Sequence, residues 1–463
     1  MRRLLLTLAV LPLAGCIAAA PAPLDPKASL DALSARGLDD PKLSDALARA
    51  GLAADGSWTL DRLTVAAWTF RPEVALVRAE AAQSLAAARA AGEIPNPTFS
   101  FDPSYLYDNA GGSLSPWTVA ASLGFTIETG GKRGIREAQA LAEATSRQWQ
   151  VSETLWKVRQ DVRRAWTARA FARRALDLAE REAALRQSFS AWVETALRFG
   201  AVAQPERLAA ITALSQAQSA LRTARGNAAA ADAALAAALG VTLAHVPFDR
   251  LEPLPEALPE PAMDTALRIE ALTNRLGIRH ALADYDVAEE ALRLAVARQY
   301  PDISFGPGYT YDKGDRGVTL TLGFTLPVFH GERAAIDEAL AARAKAAAQF
   351  AAEQTQALGE IESAAGRYAA AYAAWSETPA AVDAGARAAA AAEARLQSGA
   401  GDRSEQVTAA LAQVAAERAA LESLRAAVEA IGALEDGVQK PLWPASALAP
   451  ARPDDRIKDM RTR

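Results

Sequence analysis

One thiol, Cys16, and three imidazoles, His245, His280 and His330, are the side chains in this 463-residue chain best suited to metal, redox or nucleophilic chemistry. A lone cysteine makes no intramolecular disulfide and no cysteine-cluster metal site. The imidazoles stand far apart in sequence and read as structural or exposed. Three methionines are too few for a Met-lined copper path. The sequence has no Gly-x-Ser-x-Gly elbow and no phosphate-binding glycine loop. Carboxylate pairs are abundant, but on helices whose polar faces need charge anyway. No enzyme, no cofactor and no metal centre are therefore expected. With 50 Lys+Arg against 55 Asp+Glu, a formal charge of −5, there is no electrostatic reason to expect nucleic acid.

Cys16 has a different chemistry. Arg2 and Arg3 open a short basic region, Leu4 to Ala14 is apolar, and Leu13-Ala14-Gly15 place small residues just before the thiol. The apolar run suits a signal peptide and is too short to span a bilayer. The pattern resembles the lipobox of bacterial lipoproteins, which implies cleavage after residue 15 and lipid attachment at Cys16. Ile17 in the next position, rather than an acid, implies outer-membrane sorting by the same resemblance. The plainer alternative is an ordinary signal peptide followed by a chance cysteine. No later segment offers the 18 or so apolar residues of a membrane helix.

The rest of the chain is one unit written twice. Pro97-Thr98-Phe99-Ser100-Phe101-Asp102-Pro103-Ser104-Tyr105-Leu106-Tyr107-Asp108 matches Pro301-Asp302-Ile303-Ser304-Phe305-Gly306-Pro307-Gly308-Tyr309-Thr310-Tyr311-Asp312. Leu123-Gly124-Phe125-Thr126-Ile127 matches Leu322-Gly323-Phe324-Thr325-Leu326, and Leu197–Ala201 matches Leu396–Ala400 in the same order. Internal repeats of this kind outrank local signals. The expected divisions are a signal peptide at 1–15, a lipid-anchored linker at 16–58, repeat one at 59–240, a Pro-rich linker at 241–263, repeat two at 264–440 and a mobile tail at 441–463.

Each repeat reads helix, strand, turn, strand, long helix, break, helix. Along the strand segments, apolar residues alternate strictly with Thr, Ser, Gly and Asp. Phe99, Phe101, Tyr105 and Tyr107 share one parity, as do Trp117, Val119, Leu123, Phe125 and Ile127. A period of two puts one face on something apolar and the other on water. Asp108-Asn109-Ala110-Gly111-Gly112 and Asp312-Lys313-Gly314-Asp315 are good hairpin turns. A pair of hairpins on a soluble core is one reading. A lipid-facing barrel wall is the other, favoured by strands expected to run about 11–12 residues, enough to cross a bilayer when tilted. Tyr and Trp near the turns fit an interfacial girdle. Four strands cannot close a membrane barrel, for which about eight is the minimum. Open edges in lipid leave backbone groups unpaired. Sister chains must then share the barrel. A dimer would fill its lumen with side chains, whereas a trimer with twelve strands leaves an aqueous bore. The small polar face favours the trimer.

Alanine makes up about a quarter of the residues, suited to long, closely approaching helices. One helix is expected from about Lys132 to Phe199, roughly 100 Å at 1.5 Å per residue, and a mate from about His330 to Leu396. Val151, Leu155, Val158, Val162 and Ala165 form a four-three seam, as do Val407, Leu411, Val414 and Leu421 with Arg418 interrupting. An antiparallel coiled-coil hairpin without a channel reads the same on these helices alone. Gly200-Ala201-Val202 and Gly399-Ala400-Gly401 are helix stops, placed at the far tips, where a partner would dock and a pore could narrow.

These features together resemble the TolC-like outer-membrane factor (outer-membrane efflux protein) family over about residues 59–440. The residues that carry the likeness are the lipobox, the duplicated unit, Asn96-Pro97 before the first strand, Leu326-Pro327-Val328-Phe329-His330-Gly331 after the fourth, and the glycine-bearing tips. Glu128-Thr129-Gly130-Gly131-Lys132-Arg133 resembles the heavy-metal branch. The resemblance implies a mainly α chain with a membrane β-barrel: a homotrimer with a twelve-stranded barrel in the outer membrane and a helical periplasmic tunnel. It implies the exit duct of a tripartite efflux system for small substrates such as metal ions or drugs, joined by a periplasmic adaptor to an inner-membrane RND-type transporter. It also implies acidic side chains narrowing the tip. Asp402 and Glu405 fall in that stretch, and they read equally as solvated acids at a helix start. The competing function is a lipid-anchored periplasmic scaffold or adaptor without a pore.

Overall fold

The protein is described by a computed structural model over residues 19–53, 56–107, 115–255, 257–444, 446 and 448. The signal segment, Cys16, the Asp108–Gly112 turn and most of the tail lie outside the described residues. Among the described residues, eleven α-helices and four strands follow in order. Helices α1 (Pro26–Ser34) and α2 (Pro41–Arg49) occupy the segment expected to be a linker, each started by an aspartate that caps the second helical N–H. α3 (Leu60–Phe70) and α4 (Pro72–Ala91) lead to β1 (Thr98–Tyr105), β2 (Trp117–Ile127), α5 (Lys132–Arg198) and α6 (Gln204–Leu239). The same series returns as α7 (Thr265–Asn274), α8 (Leu276–Ala297), β3 (Ile303–Asp312), β4 (Asp315–Phe324), α9 (Arg333–Ser376), α10 (Thr378–Gln397) and α11 (Arg403–Val438).

α5 runs unbroken for 67 residues because nothing in Lys132–Arg198 removes a backbone donor or clashes with the preceding turn. Its mate is not one helix. Pro379 sits in the first turn of α10, so the run expected from His330 to Leu396 divides between Ser376 and Thr378. Proline is compatible with a first helical turn but not with the interior, so the chain restarts there.

The strands form one antiparallel meander in the order β1-β2-β3-β4. They run 8, 11, 10 and 10 residues, so that β2 reaches the expected length, β3 and β4 fall just short of it and β1 is about three residues shorter. Pro103 lies in edge strand β1, where a missing donor is tolerated. The β2–β3 ladder skips Leu123 and Gly124 opposite Pro307 and Gly306, where proline again removes a donor.

α4, α5, α8 and α9 pack side by side in that order, continuing the sheet downward. α6 lies on α5, α10 on α11, and α11 on both α9 and α5. The core is a belt around the middle of this stack. Leu43, Leu63, Val74, Val158, Val162, Leu235, Leu239, Ile361 and Ile431 meet there, fully shielded from water. The linker and the tail close the belt. Leu254 and Leu258 are buried. Trp58 bridges to Leu251. Tyr368 donates its hydroxyl to the Pro259 carbonyl. The tail, expected to be mobile, is anchored at its start: Trp443 is 4 % exposed and its indole N–H donates to the Ala257 carbonyl at 2.8 Å. An indole that can bury its rings and satisfy its N–H stays in the core.

Candidate functional site

The sheet register puts every large apolar strand residue on one face. Phe99 stands opposite Leu123, Phe101 opposite Ala121 and Tyr105 opposite Trp117. Phe125 stands opposite Phe305, which stands opposite Leu322. The other face carries Ser100 opposite Ser122, Thr126 opposite Ser304, and Gly308 opposite Thr319. Among the described residues, no other part of the chain covers the oily face: Phe99 is 67 % exposed, Val318 87 % and Leu322 66 %. Tyr105 and Trp117 meet edge to face at 5.0 Å beside the first turn, with Tyr107 5.4 Å from Tyr105. The hairpins therefore do not cover a soluble core. Among the described residues no helix is long and apolar enough to cross a membrane.

At the far end, both tips use the same stop. Gly200 (φ 72°) and Gly399 (φ 75°) take the left-handed conformation. The N–H of Ala201 donates to the Ala196 carbonyl and that of Ala400 to the Arg395 carbonyl, each at 2.9 Å. This capping satisfies carbonyls that the helix end leaves orphaned. The restarts differ. Glu206 accepts from the Ala203 N–H at 3.1 Å at α6. Asp402 accepts from the Glu405 N–H at 2.7 Å at α11. Glu405 pairs with Arg395 at 2.7 Å. Asp402 is thus a helix cap, and Glu405 has a cation within its own hairpin. A groove of about 670 Å³ brings Ala201 and Val202 of the first tip beside Asp402 of the second, floored by Phe189, Trp192 and Val193. Gly200, Gly399 and Ala400 are exposed outside it, and Gly401 is half-buried. The stacked Phe189 and Trp192, 5.6 Å apart, were not singled out from sequence, although their spacing of three places them on one helix face.

Among the ties between the two repeats, three lie at successive levels of the helices. Near the tips, Arg181 pairs with Glu417, and Arg418 with Glu182 at 2.6 Å. Arg418, which interrupts the apolar seam, thereby reaches sideways to α5. In the belt, Glu435 lies between Arg159 at 2.7 Å and Arg163 at 3.0 Å, with no side-chain exposure on Glu435 or Arg159. Burial pushes the Glu435 carboxyl up, against the pull of both guanidiniums. Nearer the sheet, His280 of α8 contacts Glu153 of α5 at 3.0 Å. Asp284, one turn on, accepts from Ser146 of α5 at 2.6 Å. His245 instead meets Thr242, and His330 is exposed.

The hydrogen bond to Glu153 raises the His280 pKa above its ordinary value. Burial opposes this, the charges of Glu153 and Asp284 add to it, and Arg147 opposes it. Glu353 of α9 lines the same groove. A cation with a raised folded pKa stabilises fully below its unfolded value and loses that contribution as pH rises through the folded value. His280→Gln is therefore expected to differ most from wild type below the ordinary imidazole value of about 6.5 and to converge with it once pH has risen past the raised folded value. Thermal unfolding of both proteins across that range checks this. A constant difference would remove the ionised clasp.

The model of the family described as outer membrane efflux protein matches residues 65–241 and 267–433. No curated protein matches the chain. Among solved structures, the outer membrane protein VceC of Vibrio cholerae is similar with a TM-score of 0.65 at 19 % identity, over 82 % of this chain and 95 % of that one. The CmeC outer membrane channel of Campylobacter jejuni gives 0.70 at 14 % identity, over 96 % of each chain. The open MtrE outer membrane channel of Neisseria gonorrhoeae gives 0.66 at 18 % identity, over 84 % of this chain and 91 % of that one. These likenesses concern the fold. With both of its repeats matched by the family model, the chain belongs to the outer membrane efflux protein family, whose members are channels and not enzymes.

Proposed function

We propose that the chain is one third of an outer-membrane exit duct, anchored through a lipid on Cys16. Three copies close twelve strands into a barrel, and their helices continue it as a periplasmic tunnel. The observation that carries this reading is the sheet, with one exposed oily face, one small polar face and two open edges. Backbone groups at those edges need partners in lipid, and sister copies supply them without a new fold. A polar bore conducts passively, so the driving force comes from an inner-membrane RND-type transporter joined through a periplasmic adaptor. The glycine tips at Gly200, Ala201, Val202, Gly399, Ala400 and Gly401 supply the adaptor's docking end, and Asp402 and Glu405 the acidic constriction. Small molecules such as metal ions or drugs fit a duct of this kind. The Glu128–Arg133 segment is the feature that leans toward metal ions.

Asp402 has two roles in this reading, as constriction and as cap. Loss of an aspartate cap costs about 1 kcal/mol, enough to loosen the first turn of α11 without unfolding the chain. The full-length protein in planar bilayers is expected to conduct weakly, and Asp402→Ala to raise the open fraction. A membrane that stays sealed with both proteins would overturn the duct. A lipid-anchored scaffold would also be released as a soluble monomer when Cys16 is replaced, whereas a barrel remains in the membrane.

A further inference from the structure

The duplicated chain completes one junction within itself and leaves its twin open. Where β2 ends, Glu128-Thr129-Gly130-Gly131 rests on the lead-in to β3. The Thr129 N–H donates to Asp302 at 3.0 Å and its hydroxyl to the Pro301 carbonyl at 2.6 Å. Lys132 pairs with Asp302 at 2.7 Å. Gly130 sits so close that a Cβ there would lie 3.1 Å from both the Ala297 carbonyl and the Tyr300 ring.

The corresponding segment after β4 has the same backbone signature. Gly331 and Glu332 adopt φ of 52° and 58° before α9, as Gly130 and Gly131 adopt 65° and 72° before α5. Ahead of Gly331 this connection is four residues longer than its twin, and it is largely apolar. Leu326 is 63 % exposed, Val328 70 % and Phe329 95 %. The repeat relation assigns it a seat on Ile94–Thr98, the lead-in to β1. That seat is out of reach within the chain, because β1 and β4 are opposite edges of the sheet. Thr98 stands where the first junction has Asp302, so the seat lacks the carboxylate that fixes Lys132. It offers Ile94 instead, itself 69 % exposed.

We propose that Leu326, Val328 and Phe329 form an apolar hook that seats on Ile94–Pro97 of a second copy of this chain. The junction between copies then repeats the geometry of the junction within the chain, with buried apolar surface replacing the Lys132–Asp302 pair. Removing such side chains from water is the main driving force of association. This inference rests on the shared-barrel reading.

The test uses the full-length chain in detergent and in native outer membrane. The double variant Ile94→Cys/Phe329→Cys is expected to cross-link copies into dimers and trimers on mild oxidation, and neither single variant to do so. Val328→Cys/Pro97→Cys gives a second, independent pair. Light scattering on the same samples reports particle mass. A trimer mass with neither pair cross-linking overturns the hook and leaves the shared barrel standing, whereas a monomer mass overturns both. A fluorophore on Phe329→Cys that nitroxide-labelled lipid quenches as strongly as one on Leu322→Cys would assign the hook to lipid and overturn the proposal. Phe329→Ser, which exposes no new thiol, is expected to loosen subunit association by roughly thirtyfold or more. An unchanged dissociation would count equally against the hook.

Discussion

Glu435→Ala is expected to destabilise the chain by about 3–5 kcal/mol, the cost of leaving buried charges without a counter-ion. Arg159 and Arg163, 0 % and 2 % exposed at the side chain, cannot turn to water once the carboxylate is gone. Arg163 also donates an Nη to the Val428 carbonyl at 3.0 Å, and its Nε, the atom that faces Glu435, to the Trp443 carbonyl at 3.3 Å. Gly432 makes its room, since a Cβ there would lie 2.7 Å from the Arg163 Cζ. Three parts of the chain meet in this triad: α5 of the first repeat, α11 of the second, and the tail that carries Trp443. A carboxylate lost here unpins all three together, so the thermal transition is expected to fall and broaden. The contrast that isolates charge from packing is the triple replacement Arg159→Met/Arg163→Leu/Glu435→Leu. Apolar substitution of a whole buried ionic group is often neutral or better, so this variant is expected to recover most of the loss. A triple variant as weak as Glu435→Ala would mean that the triad acts through shape alone.

Much of the architecture was legible in residue order, because its signals are local. Alternation in Phe99-Ser100-Phe101 needs no knowledge of what the strand touches, and it specified which face would be bare. Gly200 and Gly399 marked both helix ends by the one conformation that favours glycine. What escaped is non-local. Arg159 and Arg163 look like ordinary solvated charges on a long helix, and their partner lies 276 residues away from Arg159. The only local hint was their place beside Val158 and Val162, on the flank of a buried seam. Trp443 sits among prolines and charges, a composition that argues for a loose tail. Its burial depends on a linker nearly two hundred residues earlier. Pro379 was present to be read, but the surrounding alanines carry such strong helix propensity that a single restart leaves little trace in the pattern. His280 became informative only when folding set it against Glu153. Cys16, the one residue with assignable chemistry, lies outside the described residues.

The two faces of the sheet make opposite demands, and β4 allows them to be compared at one depth. Leu320→Arg is expected to cost about 2–4 kcal/mol per chain in barrel stability, the penalty for an arginine near the middle of a bilayer. Three such residues would ring a trimer, so assembly in the outer membrane is expected to fail outright. Thr321→Arg adds the same side chain one residue on, pointing to the opposite face. Thr321 lies opposite Gly306 and Leu320 opposite Pro307, so both face a small or flat neighbour. On a wet bore the new cation keeps its hydration. That variant is expected to assemble normally, to lower the conductance for cations, and to respond to ionic strength as an exposed charge should. Outer-membrane yield of the heat-resistant oligomer, followed by single-channel recording, reads both outcomes. If Thr321→Arg failed and Leu320→Arg assembled, the oily face would line the interior and the assignment of inside and outside would reverse. If both assembled equally, neither face would touch lipid, and the strands would belong to a water-exposed cap on a periplasmic scaffold.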